Sequence, residues 1–209
     1  VMEADLPVTS AAAPAQIGAI GGDFFLSNKG DGVFINGSTQ VTATDIAGSN
    51  GVVHVIDRTL LPPSETVVEI AVALSMADPA EFTTLVALLT DPAQSDVLAA
   101  ISGDGPYTIF APTDAAFAEI SDVTGGLTDA QISSVLAYHV VGAQAYSTDL
   151  EDGLSPVTFN EETVTINVAD AVTITDKSVD SPDATVISVN VNGTNGVIHV
   201  IDKVLIPTL

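Results

Sequence analysis

Hydrophobic and polar positions follow two different rhythms along this chain. Between residues 67 and 140, apolar residues recur every three or four positions. Val67, Ile70, Ala71 and Leu74 share one face; Phe82, Leu85, Val86 and Leu89 share another. Val97, Leu98 and Ile101 follow, and then Ile132, Val135, Leu136 and His139. This is the spacing of amphipathic helices. Start signals agree with it. Thr66 with Glu69, and Thr128 with Gln131, have the spacing of capping boxes. Asp78-Pro79 and Asp91-Pro92 each set an N-cap residue before a proline at the first helical position. Gly103, Gly105 and Pro106 stop the third helix. Residues 107–111 form an apolar run of strand length, and Pro112-Thr113 opens a short helix carrying Ala116, Phe117 and Ile120.

Beyond residue 145 the period falls to two. Val157 and Phe159, then Val164, Ile166 and Val168, then Val172 and Ile174 alternate with polar residues, and residues 186–191 and 197–201 continue as strands. Asn192-Gly193 between the last two runs is a hairpin signal. Residues 1–62 show only this second rhythm, with strands predicted at 23–26, 32–35, 40–43 and 52–56, a turn at Asn36-Gly37 and an alanine-rich loop at Pro7 to Pro14. Helices first and strands afterwards predict an α+β fold rather than a βαβ sheet.

One phrase occurs twice. Residues 48–62 read GSNGVVHVIDRTLLP and residues 193–207 read GTNGVIHVIDKVLIP, an offset of 145 with 10 of 15 positions identical. A repeat of that period is the size of a domain. Only 47 residues precede the first copy. The expected organisation is therefore the C-terminal, β-rich half of one domain in 1–62, a short stiff linker in 63–66, and a complete domain in 67–209.

Composition narrows the partners. The chain has 27 acidic and 4 basic residues, a net charge of −23, and no cysteine. Nucleic acid and anionic membrane surfaces are disfavoured as partners by charge. Disulfides and thiolate metal sites are excluded. A saline setting or bound divalent cations would screen the self-repulsion; a generally acidic surface is the alternative, and both stay open. No run approaches the length of a membrane span. No basic-then-apolar signal segment opens the chain, and the beginning at Val1 reads as a processed or excised start.

Three phrases carry a family resemblance. Tyr107-Thr108-Ile109-Phe110-Ala111-Pro112-Thr113-Asp114 is followed by Ala-Ala-Phe117. Next come Leu136-Ala137-Tyr138-His139-Val140, and finally Asn195-Gly196-Val197-Ile198-His199-Val200-Ile201-Asp202. In order and spacing they resemble the fasciclin (FAS1) domain. In residues 1–62 only the last phrase has a match, at Asn50, Gly51, His54 and Asp57. The resemblance implies a β-wedge with packed helices, in tandem arrangement. It implies secreted or surface-anchored adhesion and matrix proteins without general enzymatic activity. In animal members the stretch matching Tyr138-His139 is linked to integrin binding. The implied partners are other copies or surface and matrix proteins.

Candidate chemistry is sparse. The histidines are His54, His139 and His199, and no Gly-x-Ser-x-Gly elbow accompanies them, so a hydrolase is the least favoured class. Their expected role is architectural, as hydrogen-bonded side chains. Asp114 is expected to cap a helix or to pair with a histidine such as His139. Arg58 and Lys203, following Asp57 and Asp202, suggest local charge compensation. Asp170, Asp176, Asp180 and Asp183, with Glu161 and Glu162, form an acidic stretch suited to diffuse calcium binding, but they lack the spacing of a defined loop. No cofactor is expected. Asn36-Gly-Ser and Asn192-Gly-Thr fit the glycosylation sequon and equally fit hairpin turns; the turn reading is preferred.

Residues 1–62 pose a packing problem, because Phe24, Phe25, Val33, Phe34, Val53 and Val55 need a second layer. Either the chain is a piece of a longer tandem array, which is the preferred reading, or another molecule completes it head to tail. The expected function is a non-enzymatic extracellular adhesion or structural module, within a filament or sheath. The alternative is a surface module that binds polysaccharide or divalent cations.

Overall fold

The computed structural model describes residues 14–20, 22–28, 32–120, 126–178 and 182–209. The loop expected at Pro7 to Pro14 lies outside them except for Pro14, and so does Asp180. The architecture is α+β.

Five strands come first: β1 (Ala15–Ile17), β2 (Phe24–Asn28), β3 (Val33–Ile35), β4 (Thr39–Ala47) and β5 (Val52–Ile56). They form an antiparallel meander in chain order. The turn from β3 to β4 uses Asn36 and Gly37 at φ 50° and 67°. These are the two left-handed positions of a hairpin turn that follows strand twist.

Next come α1 (Val67–Ser75), α2 (Thr83–Leu89), a 3-10 turn at Pro92–Gln94, α3 (Ser95–Ile101), β6 (Tyr107–Pro112), α4 (Asp114–Glu119) and α5 (Asp129–Tyr138). β7 (Val140–Val141), β8 (Thr165–Val168), β9 (Val172–Thr175), β10 (Ala184–Gly193) and β11 (Gly196–Ile201) complete a sheet ordered β7-β6-β11-β10-β9-β8. Only β6 and β11 in that sheet run parallel, from Gly196↔Tyr107 to Ile201↔Pro112.

Both predicted capping boxes are present: Thr66 accepts from the Glu69 amide and Thr128 from the Gln131 amide, with the reciprocal bonds formed. Asp91 caps the 3-10 turn through the Ala93 amide. Two expectations are corrected. Asp78-Pro79 does not open a helix. Phe82 turns left-handed, at φ 66°, which breaks any helix upstream while sinking its ring into the core, so α2 begins at Thr83. The hairpin between β10 and β11 turns at Thr194-Asn195 rather than at Asn192-Gly193. The reason is that the Asn195 side chain holds three backbone groups of the helical layer, which fixes where the chain reverses.

One core lies between the helices and the β6–β11 pair, around Val67, Phe82, Leu85, Phe117, Leu136 and Ile198. A second lies on the other side, around Phe110, Tyr138, Val164, Ile166, Ile174 and Ile201. Each large apolar side chain so buried contributes about 1.5–3 kcal/mol. The first sheet has a small core of its own, Leu26, Val33 and Ile35.

The repeat extends into three dimensions. β4 and β5 pair as Val41↔Ile56, Ala43↔Val55, Ile46↔Val53 and Ala47↔Val52. β10 and β11 pair as Val186↔Ile201, Ser188↔Val200, Val191↔Ile198 and Asn192↔Val197. Every pair is offset by 145, register shifts included. So are the left-handed residues inside the two bulges, Asp45 and Asn190, both at φ 60°.

Candidate functional site

The three family-like phrases converge where β6 lies against β11. Thr108 faces Val197 and Phe110 faces His199 in the parallel register, with the Phe110 and His199 ring centroids 5.9 Å apart. Gly196 allows this approach, since a Cβ there would lie 2.4 Å from the Tyr107 carbonyl oxygen.

The polar groups of the cluster are bonded to backbone. Thr108 Oγ1 donates to the Ala143 carbonyl at 2.6 Å and accepts from the Ala145 amide at 2.8 Å. The Tyr138 hydroxyl donates to Thr163 O at 2.9 Å, and burial, with the charges of Asp176 and Glu162, raises its pKa. His139 ends α5. Its Nδ1 lies 2.7 Å from Val135 O and its Nε2 accepts from the Leu205 amide at 2.9 Å, so Nδ1 carries the proton. Burial pushes its pKa down to about 4, and the bond to Val135 opposes this only in part. His199 Nε2 donates to Ala145 O at 2.9 Å, and burial lowers its pKa too. Both rings are therefore neutral at pH 7. Tyr138 is 0% and His139 4% exposed, so neither can touch a receptor from this conformation.

Asn195 is the clamp. Its Oδ1 accepts from the Val67 amide at 3.0 Å, while Nδ2 donates to Ile101 O and Gly103 O at 3.1 and 2.8 Å. One side chain thus ties the start of α1 to the end of α3.

Asp202 closes the β10–β11 ladder. Its Oδ1 accepts from the Thr185 amide at 2.6 Å, and its own amide donates to Thr185 O. Asp57 does the same with Gln40 at 2.9 and 3.0 Å. Charge compensation differs between the two. Arg58 sits 3.4 Å from Asp57, whereas Lys203 reaches away to Glu119 at 2.9 Å.

Asp114 does not pair with His139. It accepts from the amides of Thr83 and Thr84 at 3.0 and 2.8 Å, and so caps α2, whose own N-cap Phe82 has no polar side chain. Partial burial pushes its carboxyl up, but the bonds from Thr84 and Thr83 outweigh this and hold the pKa below the usual value. Glu81 returns the exchange by accepting from the Asp114 amide at 2.7 Å. Thr113, beside buried Pro112, caps α4 through the Ala116 amide.

The first copy of the phrase differs. His54 is half-buried and reaches Asp45, with its Nδ1 3.4 Å from the Asp45 amide. Asn50 is exposed and Gly51 has open space around it.

Sequence reasoning missed the junction between the two sheets. Ser27 Oγ donates to Asp149 Oδ1 at 2.7 Å, with both residues buried. Asn190 Nδ2 donates to Gly37 O at 2.9 Å, and the Phe25 and Tyr146 rings lie 6.0 Å apart. A Cβ at Gly37 would fall 2.4 Å from Tyr146 Cβ, so this glycine serves the docking as well as the turn. Asn36 binds the Phe25 amide in the same turn. The first sheet is thereby buttressed against residues 146–190 rather than standing alone. Nothing in the local pattern of Ser27 or Asp149 signals a contact across 122 residues.

The acidic stretch is dispersed. Asp176 accepts from the Ser178 and Ile206 amides, and Glu162 from Thr208. Among the described residues, no three histidine, aspartate or glutamate side chains converge as a metal site would require. No described helix is long and apolar enough to cross a membrane.

A family model, the fasciclin domain, matches residues 8–62 and 80–207. The chain belongs to the fasciclin domain family. It is 32% identical to protein sll1483 of Synechocystis sp. over 163 residues, covering 74% of this chain and 81% of that protein. It is 30% identical over 191 residues to periostin of Homo sapiens, covering 88% of this chain but 21% of periostin. Among solved structures, a FAS1 domain pair from the insect cell adhesion molecule fasciclin I aligns over 94% of this chain and 66% of that one, at 21% identity and a TM-score of 0.46. The chain thus spans most of the cyanobacterial relative and about a fifth of periostin. In fasciclin terms the three phrases bind the helical layer to the sheet.

Proposed function

We propose that this fasciclin chain is a non-enzymatic extracellular adhesion or structural module acting through protein–protein contacts, within a filament or sheath. Residues 1–62 are the C-terminal half of one fasciclin domain and residues 67–209 a complete second one, held at short range by the linker 63–66. The observation that carries this reading is the engagement of the candidate polar groups. Thr108, Asp114, Tyr138, His139, Asn195 and Asp202 each bond backbone of their own chain. His199 is likewise bonded to Ala145 O. General-base catalysis needs an imidazole in reach of a proton on the substrate. Neither of the two buried rings offers one.

The test uses beads coated with the full chain, scored for aggregation and for retention on matrix-coated surfaces. Retention above albumin-coated beads, with no turnover on ester and glycoside panels, is the expected result. Turnover that survives purification, or beads that behave like albumin controls, would refute the proposal.

The charge of −23 favours a second reading, a surface that binds divalent cations or polysaccharide. Calcium titration by calorimetry tests its cation arm; no heat at millimolar calcium counts against the second reading.

A further inference from the structure

The junction between the two sheets encloses a cleft of about 260 Å³ that the adhesive reading does not use. One wall is the first sheet, with Asp23, Phe25 and Asn36, and the chain after β5 at Pro62-Pro63. The other wall is Gln144 and Tyr146, with residues 192–194 of the last hairpin. The bonds from Ser27 to Asp149 and from Asn190 to Gly37 hold the two walls together, so the cleft is preformed.

Its buried side carries polar groups that the protein leaves unused. Gln144 is 6% exposed, and its Nε2 donates to the Tyr146 hydroxyl at 2.7 Å. Gln144 Oε1 receives no hydrogen bond among the described residues, yet it is not sealed from solvent. The Tyr146 hydroxyl proton has no acceptor among them either. Turning the amide over would exchange these roles and still leave a donor and an acceptor free. On the opposite wall, Asn36 Oδ1 accepts from the Phe25 amide, while Asn36 Nδ2 makes no hydrogen bond among the described residues. One Asp23 oxygen accepts from Gln16 at 2.7 Å and the other has no partner among them. Between the walls the Phe25 and Tyr146 rings lie 6.0 Å apart, and Pro62 adds an apolar edge.

We propose that this cleft binds one unit of a neutral sugar. Each sugar hydroxyl is a donor and an acceptor at once, which matches amide and phenol groups set side by side. The C–H face of a sugar ring packs on aromatic and proline carbons. The volume lies just under the ~300–1,000 Å³ of drug-sized ligand sites, which suits a single ring rather than a longer segment. Other ligands fit worse. An anion would face Asp23 and a net charge of −23. A divalent cation needs several oxygen ligands, and among its described residues the cleft has one carboxylate. A purely apolar ligand would leave Gln144 and Tyr146 unpaired. The inference deepens the polysaccharide arm of the second reading and rests on it, but it replaces diffuse surface charge with uncharged groups at one place.

The test titrates the full chain with D-glucose, D-galactose and D-mannose, with neutral polymers of each, and with D-glucuronate, following amide resonances by NMR. At least one neutral sugar is expected to bind in the millimolar range, as so small a ligand allows. Shifts should centre on residues 23–25, 36, 144–146 and 192–194. A monosaccharide that binds marks a free sugar or a chain end as the ligand; a polymer that binds where its monomer does not marks an internal unit. Tyr146→Phe keeps the ring against Phe25 and should weaken binding about three- to tenfold. Asp23→Ala, at the exposed rim, should weaken it as much without disturbing the fold, and it carries the test if Tyr146→Phe unfolds. Glucuronate binding as tightly as glucose overturns the assignment to neutral sugars. No shift at tens of millimolar of any sugar overturns the proposal and the polysaccharide arm together. Saccharide binding that both variants leave unchanged overturns the cleft alone and leaves that arm standing. The bead assay reads neither.

Discussion

Lowering the pH from 8 to 5 should destabilise this protein before its carboxylates titrate, because His139 is folded in as a neutral ring. It sits in the core with Nδ1 on the Val135 carbonyl and Nε2 receiving the Leu205 amide. A proton added to Nε2 would meet an N–H donor inside the core. Its pKa accordingly falls from 6.5 to about 4. The sign follows from proton uptake. Between these values the unfolded chain binds a proton that the folded chain does not, so stability is full above about pH 6.5 and declines as pH falls toward 4. The whole shift corresponds to about 3 kcal/mol at ~1.4 kcal/mol per pK unit, and about 2 kcal/mol of it is lost by pH 5. His199, also lowered by burial, acts in the same direction.

Urea unfolding at pH 8 and pH 5 measures the loss, and a loss of about 2 kcal/mol is a large share of a typical 5–15 kcal/mol stability. Imidazole resonances followed by NMR assign it. His139 should not titrate above pH 5 while the protein is folded. His139→Gln should lower stability at pH 8 and flatten its dependence on pH, leaving only the share of His199. A His139 midpoint near 6.5 in the folded state, or equal urea midpoints at the two pH values, would refute the reasoning.

Four substitutions probe other parts of the molecule. Gly196→Ala places a methyl 2.4 Å from the Tyr107 carbonyl and should cost about 1–3 kcal/mol or more, whereas Gly51→Ala, with open space around it, should stay within about 0.5 kcal/mol; thermal unfolding of both compares the two copies of one phrase. Asp114→Ala leaves the Thr83 and Thr84 amides uncapped and should cost about 1–2 kcal/mol, read as a lower denaturation midpoint with faster amide exchange in α2. Ser27→Ala removes the donor to buried Asp149 and should cost about 1.5–3 kcal/mol, with faster exchange in β2; unchanged exchange there would mean that the first sheet does not lean on the segment around Asp149.

Local signals in the sequence were legible where a short window contains the cause. The capping boxes at Thr66 and Thr128 are complete within four residues, and the Asn36-Gly37 turn within two. The parallel pairing of β6 with β11 was beyond pattern reading, because it joins strands some 90 residues apart and leaves no period. The errors share one physical origin. Asp78-Pro79 has the composition of a helix start, but the cap of α2 comes from Asp114, on another helix. Asn192-Gly193 has the composition of a turn, but Asn195 must face the helical layer, and this fixes the reversal two residues later. In both cases a tertiary hydrogen bond outweighed a local preference. The junction through Ser27, Asp149 and Asn190 was invisible for the same reason. Such polar residues are common in loops, and only the fold makes them meet.

The charge of −23 makes a final demand on this architecture. Several carboxylates act as acceptors: Asp57 and Asp202 close ladders, Glu69 accepts from the Thr66 amide in the capping box of α1, and Asp91 and Asp114 cap helical turns. An N–H donor satisfies a carboxylate but does not neutralise it, so these roles leave the net charge intact. Among the described residues, the ion pairs formed by lysine or arginine are Arg58–Asp57 and Lys203–Glu119, each with an exposed partner. Exposed pairs contribute about 0–1 kcal/mol, so attraction does not offset the repulsion among the remaining carboxylates. Added salt should therefore stabilise the fold. Raising NaCl from roughly 20 mM to 500 mM shortens the screening length from about 20 Å to about 4 Å, which removes repulsion between carboxylates while forfeiting little from the pairs. The melting temperature at pH 8 is expected to rise with NaCl, and to rise equally with KCl, because screening depends on ionic strength alone. A rise with calcium far beyond its ionic strength would instead reveal a specific site. A fall with NaCl would mean that the ion pairs outweigh the repulsion, contrary to the count of charges.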